Sequence, residues 1–344
     1  MIADAELAPV RADDQLDWAA LEAWLRAAIA DLPPAPMQVG QFARGHANLT
    51  YLITFADRQL VLRRPPHGAI APGAHDMGRE YRVLAKLWQA WPRAPRAHAL
   101  CEDESVIGAR FVVQDYRAGG EVFFKARPAS MEGLPHFGER ITRALAEALA
   151  DLHKVDYAAI GLADFGRPEG YLERQLAGWH DRWRRVASAQ PVPGLEDLGE
   201  RLARDVPRPL LATIVHNDFK LDNCQFRPGE PDRVVAVFDW DMATIGDPLV
   251  DVGIALDYWP LTHGNPALGL PPGDAFKRHY AAQMGIDVAA IAWYEAFAAW
   301  RSGIATQQMY HRFVSGQTSD ARMQAVGRRV VEFAARGKAA LDAA

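Results

Sequence analysis

Between residues 13 and 31 apolar side chains recur at helical spacing. Leu16, Trp18, Leu21, Trp24, Leu25 and Ile29 fall on one stripe, with Asp14, Glu22 and Arg26 elsewhere. The pattern predicts an amphipathic helix, ended by the proline-rich stretch Asp31–Pro36. The period then shortens to two. Strands are predicted over 37–42, 49–55 and 59–64, joined by turns at 44–48 and 56–58. A helix over 76–88, short strands at 99–101 and 106–107, and a strand over 110–116 follow. Helical spacing takes over afterwards, at 137–153, 171–186, 195–204, 249–258, 274–284, 288–311 and 320–341. One interruption breaks it. An apolar run at 210–215 is followed by the turn Arg227-Pro228-Gly229 and an alternating strand at 234–238. Strands first and helices after predict an α+β chain, divided near residue 117 into a sheet-bearing part (1–116) and a larger helical part (117–344).

Composition narrows the class. A chain of 344 residues can bury a substantial core and form two domains or one two-part unit. Hydrophobic residues at 49% and charged residues at 24% are ordinary for a water-soluble globular protein. A net charge of -5 gives no reason to expect a polyanion, so a nucleic-acid partner is not predicted. Cys101 and Cys224 are too few for a disulfide framework or a cysteine metal site. The start, Met-Ile-Ala-Asp-Ala-Glu, is acidic and has no signal-peptide pattern, and no apolar run is long enough to span a membrane. The expected location is cytoplasmic, and nothing in the sequence fixes an oligomeric state.

The chemistry concentrates in the interruption. His216-Asn217-Asp218-Phe219-Lys220-Leu221-Asp222-Asn223 reads H-x-D-x-K-x-x-N, and Phe238-Asp239-Trp240-Asp241 follows the alternating strand. A loop and a nearby strand end thus each present carboxylate or amide oxygens, the donors a divalent cation needs beside a catalytic carboxylate. In phosphoryl transfer from ATP one aspartate orients the acceptor hydroxyl and takes its proton, while an asparagine and a second aspartate hold magnesium. Asp218 suits the first role, Asn223 and Asp239 the second. Lys220 is close enough in sequence to reach the transferred group.

The two motifs resemble the kinase catalytic loop and its metal-binding aspartate. They are more similar to those of the aminoglycoside phosphotransferase and choline kinase-like family of small-molecule kinases, in which an aromatic and a second acid follow the metal aspartate. The resemblance spans roughly residues 37–315 and includes Leu49-Thr50-Tyr51, Leu62-Arg63-Arg64-Pro65-Pro66, Arg79-Glu80-Tyr81 and Gly246-Asp247-Pro248-Leu249-Val250-Asp251. It implies a bilobal, protein-kinase-like fold with a small antiparallel-sheet lobe and a mainly helical lobe. It implies ATP and Mg2+ as cofactors.

By the same resemblance His46, Ala47 and Asn48 lie in the phosphate loop, although the turn has one glycine and does not match G-x-G-x-x-G. Arg63 stands where kinases place a lysine, with Glu80 as its helix partner, and a guanidinium can bridge phosphate and carboxylate. Gln114, Asp115 and Tyr116 fall at the inter-lobe hinge, whose backbone reads adenine. Asp241 touches a second metal ion or only its waters. Asp251 corresponds to the aspartate that holds the catalytic loop, and His216 orders that loop.

Within the family the chain looks most like phosphotransferases found alone or fused to acyl-CoA dehydrogenases, which implies a small-molecule hydroxyl acceptor such as a hydroxyacyl-CoA. An aminoglycoside kinase and a nucleotide-binding pseudokinase module are the alternatives. A protein kinase is disfavoured, because no Ala-Pro-Glu follows Asp239. The helix at 171–186 carries Arg174, Arg182, Arg184 and Arg185 on one side, a solvated basic face or a place for substrate phosphates.

Overall fold

The computed structural model describes residues 7–42, 48–67, 75–263, 268–317 and 322–343. Six strands form one antiparallel sheet: β1 (Leu7–Ala8), β2 (Gln38–Phe42), β3 (Leu49–Phe55), β4 (Arg58–Arg64), β5 (Ala97–Cys101) and β6 (Phe111–Asp115), in the spatial order β1-β2-β3-β4-β6-β5. Alternation along β3 and β4 sorts the side chains. Tyr51, Ile53, Leu60 and Leu62 face one side, where α1 (Trp18–Ala28) closes a core with Leu21 and Leu25. Leu52, Val61 and Phe42 face the other side and form a small separate cluster with Tyr116. Asp17 caps α1 by accepting from Ala20 N at 2.9 Å, and Asp76 caps α2 (Met77–Leu87) by accepting from Arg79 N at 3.0 Å.

The rest is mainly helical: α3 (Phe137–His153), α4 (Tyr171–Val186), α5 (Leu195–Arg204), α6 (Pro248–His263), α7 (Gly273–Met284), α8 (Ile291–Val314), α9 (Arg322–Val326) and α10 (Arg329–Asp342). Between α5 and α6 lie β7 (Thr213–Val215), β8 (Cys224–Arg227), β9 (Glu230–Val237) and β10 (Thr244–Gly246). They pair as two antiparallel ribbons, β7 with β10 and β8 with β9. One large core, with Trp91, Trp240 and Trp300 fully buried, unites these helices with α2. This is the kinase-like architecture that the motifs imply.

Several elements differ from the sequence expectation, each for a local reason. Val106 and Ile107 lie in a turn instead of a strand, and the Ile107 carbonyl accepts from Arg64 Nη1 at 2.8 Å. The first helix begins at Trp18, because residues 12–14 form a short 3-10 turn whose Asp14 accepts from Gln41. Asp287 accepts from Ala289 N and holds 287–290 outside α8. The last predicted helix breaks at Gly327, where a Cβ would meet the Tyr310 ring at 2.6 Å.

Candidate active site

Strand β7 delivers the loop, and α6 catches it. Asp251, on the first turn of α6, is fully buried and accepts from the His216 and Asn217 backbone N–H groups, both at 2.6 Å. Its Oδ2 also faces His153 Nε2 at 3.2 Å, and His153 Nδ1 meets the Tyr280 hydroxyl at 2.7 Å.

Asn217 takes a left-handed conformation (φ 63°), which asparagine tolerates better than most residues. All its polar groups are used. Its carbonyl accepts from Arg301 at 2.6 Å, its Oδ1 from the Tyr171 hydroxyl at 3.0 Å, and its Nδ2 donates to the Met242 carbonyl at 3.0 Å. The sequence reading passed over Asn217 as the variable position of H-x-D. An asparagine between two chemistry-bearing residues, where φ must turn positive, was the available signal.

His216 is buried beside Trp240, with ring centroids 4.5 Å apart. Its Nδ1 accepts from Asp218 N–H at 3.2 Å and its Nε2 donates to the Phe238 carbonyl at 2.9 Å. Burial pushes its pKa down against the pull of Asp251, Asp218 and Asp239, which suits this neutral tautomer. Both ring nitrogens serve the backbone, tying the 216–218 loop to the Phe238 strand end.

The loop brings Asp218, Lys220 and Asn223 together. Lys220 Nζ lies 2.8 Å from Asp218 Oδ2. Asn223 Nδ2 donates to the Asp218 carbonyl at 2.9 Å and to Oδ2 at 3.0 Å, which turns its own amide oxygen away from Asp218. Burial alone would lower Lys220, but the carboxylate of Asp218, with Tyr258 and Asp222 nearby, outweighs it and keeps the amine protonated. Its Nζ also stands 4.7 Å from the Tyr258 ring centroid.

From the opposite side, Asp239 enters in a left-handed conformation (φ 71°) and meets the sheet. Arg63 of β4 is the link. Its Nη1 donates to Glu80 of α2, and its Nη2 lies 2.5 Å from Asp239 Oδ1. Burial opposes ionisation of Asp239, yet Arg63 and, further off, Lys220 hold it below the usual carboxylate range. Burial and the Asp241 and Asp239 carboxylates push Glu80 up to about 7 even with Arg63 beside it. Asp241 is raised to about 6, first by burial and then by Asp239. Asn48 donates to Asp241 Oδ2 at 3.3 Å and so joins the two lobes.

The remaining predicted positions are distributed as follows. Gln114 is buried beneath the sheet, paired in register with Val61, and its Oε1 takes no hydrogen bond. Asp115 is committed elsewhere: its N–H donates to the Arg96 carbonyl at 2.9 Å and its Oδ1 faces His98 Nε2 at 2.7 Å. The Tyr116 ring stacks on Phe42 at 6.3 Å, beside Leu52 and Val61. That apolar patch on the inner face of the sheet was missed in the sequence. The period-2 alternation that puts Val61 on the same side as Arg63 could have found it. His46 and Ala47 lie outside the described residues.

The site has the donors for magnesium and nucleotide phosphates. Among the described residues no group of three His, Cys, Asp or Glu side chains converges as a metal cage. The Phe238 N–H donates to the Asn223 carbonyl at 2.9 Å and ties the two segments, whose Asp239, Asn223 and Asp218 offer a sparser set of hard oxygens that would suit an ion that keeps waters and shares phosphate oxygens. Asn48 adds a buried Oδ1 that takes no hydrogen bond, at the phosphate-loop side.

The model of the phosphotransferase enzyme family (APH) matches residues 38–301. The chain belongs to that family. Among curated relatives, acyl-CoA dehydrogenase family member 10 of Mus musculus is 36% identical over 333 residues, covering 93% of this chain and 31% of the relative. The chain spans about a third of the length of the curated relatives it matches first. Among solved structures, a Ralstonia eutropha JMP134 protein provisionally assigned as an aminoglycoside phosphotransferase superposes with a TM-score of 0.78 at 31% identity, covering 95% of this chain and 98% of that one. Aminoglycoside 2'-phosphotransferase-IIIa, solved as a GDP complex, shares the fold at a TM-score of 0.60 and 14% identity, over 94% of this chain and 99% of that one. No helix among the described residues is long and apolar enough to cross a membrane.

Proposed function

We propose that this phosphotransferase is an ATP- and Mg2+-dependent kinase of a small-molecule hydroxyl group, with a hydroxyacyl-CoA as the acceptor class. The observation that carries the reading is the meeting of Asp218, Lys220 and Asn223 from one loop with Asp239 and the Arg63–Glu80 pair from the other side. Magnesium would supply charge neutralisation on the phosphates, held by Asn223 and Asp239. Asp218 orients the acceptor hydroxyl and takes its proton. Lys220, kept cationic by Asp218, offsets charge on the transferred group. Arg63 is fixed by Glu80 and offsets phosphate charge as the usual lysine does. The patch of Phe42, Leu52, Val61 and Tyr116 offers an apolar bed for a base, beside the hinge at Gln114, Asp115 and Tyr116. Residues 1–116 would then serve the nucleotide and 117–344 the acceptor.

The acyl part of the reading rests on the curated relatives, which carry acyl-CoA dehydrogenase names. The side chains beside Lys220, among them Phe124, Leu145, Tyr258, Trp259 and Phe276, are mostly apolar, but the space between them, about 10 Å³, is that of a single water, so an alkyl chain enters there only if they part. The test is magnesium-dependent ADP release across 3- and 4-hydroxyacyl-CoAs, aminoglycosides, choline, homoserine and sugars, with GTP run beside ATP. Turnover with hydroxyacyl-CoAs alone is the expected result. Turnover with aminoglycosides instead would replace the acceptor, and nucleotide binding without any turnover would favour a regulatory module.

A further inference from the structure

The four arginines of α4 do not share one fate. Arg174 spends its guanidinium on the carbonyls of Arg167 and Glu169. Arg184 pairs with Asp181 at 2.9 Å on the surface. Arg182 is half-buried, and its guanidinium carbon lies 4.6 Å from the ring centroid of Trp179. Arg301 of α8 approaches the same ring, at 5.2 Å. Two cations therefore share one buried indole.

Arg301 ties this pair to the catalytic loop. It is 8% exposed and donates to the Asn217 carbonyl at 2.6 Å, one residue before Asp218. The nearby acids have nearer partners: Asp181 pairs with Arg184, Asp251 with the loop amides and Asp257 with Arg336, while Asp257 keeps one buried oxygen without a hydrogen bond and feels Arg301 only at longer range. Among the described residues no carboxylate comes within ion-pair distance of Arg182 or Arg301. Burial and the like charges of Arg301 and Arg185 push the pKa of Arg182 down, and no carboxylate opposes them. A ring face attracts one cation modestly and does not neutralise two. Partly buried guanidinium groups without a counter-ion are uncommon, and their planar donors match a phosphate.

We propose that Arg182 and Arg301, stacked on Trp179, form a phosphate-binding subsite that holds a phosphate group of the acceptor while the acceptor hydroxyl lies at Asp218. Naming that phosphate as the acceptor's rests on the kinase reading above. In that reading the nucleotide's own phosphates would be met elsewhere, by Arg63 and Asn48 and by magnesium held at Asp239, on the sheet side of the loop. Arg182 and Arg301 come from α4 and α8 in the helical lobe. They would select phosphate-bearing acceptors over cationic ones, and Arg182 acts as a specificity residue without touching the reacting atoms.

The test is calorimetric titration of the nucleotide-free protein with inorganic phosphate, repeated for Arg182→Gln and Arg182→Lys. Charge-assisted hydrogen bonds predict about a tenfold to hundredfold weaker phosphate binding in Arg182→Gln. Arg182→Lys keeps the charge without the planar fork and should fall between the two. Arg182 is half-exposed, so both variants should melt close to wild type, and the Lys variant suffices if Gln does not fold. Phosphate binding near Arg63 would not respond to either change. Wild type that binds no phosphate, or variants that bind it as tightly as wild type, overturn the subsite. Acetate bound as tightly as phosphate contradicts its assignment to a dianion. None of these readouts needs turnover, so a failed acceptor panel would refute the kinase reading and leave this result standing.

Discussion

Asp251→Asn is the sharpest test of how the loop is held. The substitution keeps shape and volume and removes only the charge and one acceptor. In the native protein Oδ1 accepts from Asn217 N and Oδ2 from His216 N, both at 2.6 Å, at a residue with no exposure. Oδ2 also faces His153 Nε2 at 3.2 Å. An asparagine can place its one oxygen toward His216 and His153. Its NH2 group then points at the Asn217 N–H, donor against donor. One charge-assisted bond is lost, worth about 1.5–3 kcal/mol, and a buried donor is left unsatisfied at about 1–3 kcal/mol more. The sum, about 2.5–6 kcal/mol, corresponds to a fall in Tm of roughly 3–8 °C for a chain of this size. Urea denaturation followed by circular dichroism reads the stability. Turnover should also drop, because Asn217, at φ 63°, is the residue that aims Asp218. An Asp251→Asn protein with an unchanged midpoint and unchanged turnover would refute this account of the loop.

Further expectations follow from other contacts. Arg63→Ala strands the fully buried Glu80 and should cost about 3–5 kcal/mol in denaturant titration, whereas Arg63→Lys keeps a charge but cannot reach both Glu80 and Asp239 and should cost less. An equal loss in the two variants would deny that the bridge matters. Gly246→Ala drives a methyl to 2.6 Å from the Tyr171 ring, whose hydroxyl holds Asn217, so about 1–3 kcal/mol and part of the activity should go together. Loss of stability with full specific activity would count against Tyr171 as a positioning residue. Asp241, raised to about 6, carries a proton below that pH. In the apo protein its contribution is fully present below the usual carboxylate value and lost as pH rises through about 6. Magnesium competes with the same proton, so the Tm gain from magnesium and a non-hydrolysable ATP analogue should grow through about pH 6 and level off above it. A gain independent of pH would remove Asp241 from the metal's surroundings.

The sequence showed the chemistry more fully than the supports. H-x-D-x-K-x-x-N and D-W-D are local patterns, so Asp218, Lys220, Asn223 and Asp239 stood out as candidates, and the helices from α3 to α5 matched their apolar spacing end to end. Arg63 and Glu80 lie 17 residues apart and were paired only through the family resemblance. The contacts that aim the loop are longer still. Tyr171 and Arg301 reach Asn217 from 46 and 84 residues away, and no periodicity encodes that. The same limit explains the arginines of α4. A basic helix face read as uniform in one dimension, and only the fold showed that Arg174 and Arg184 are satisfied while Arg182 meets Arg301 on Trp179. A short apolar run misled where turn chemistry won, at Val106–Ile107.

The central claim is that Asp218 takes the acceptor's proton during transfer from ATP. Asp218→Asn changes one oxygen to nitrogen at a side chain that is 17% exposed, so nucleotide binding should survive. The decisive measurement is acceptor-dependent ADP release by wild type and Asp218→Asn, with nucleotide binding of both followed by thermal shift. The account predicts a loss of turnover of about a hundredfold or more with nucleotide binding retained. Turnover in Asp218→Asn equal to wild type would contradict it.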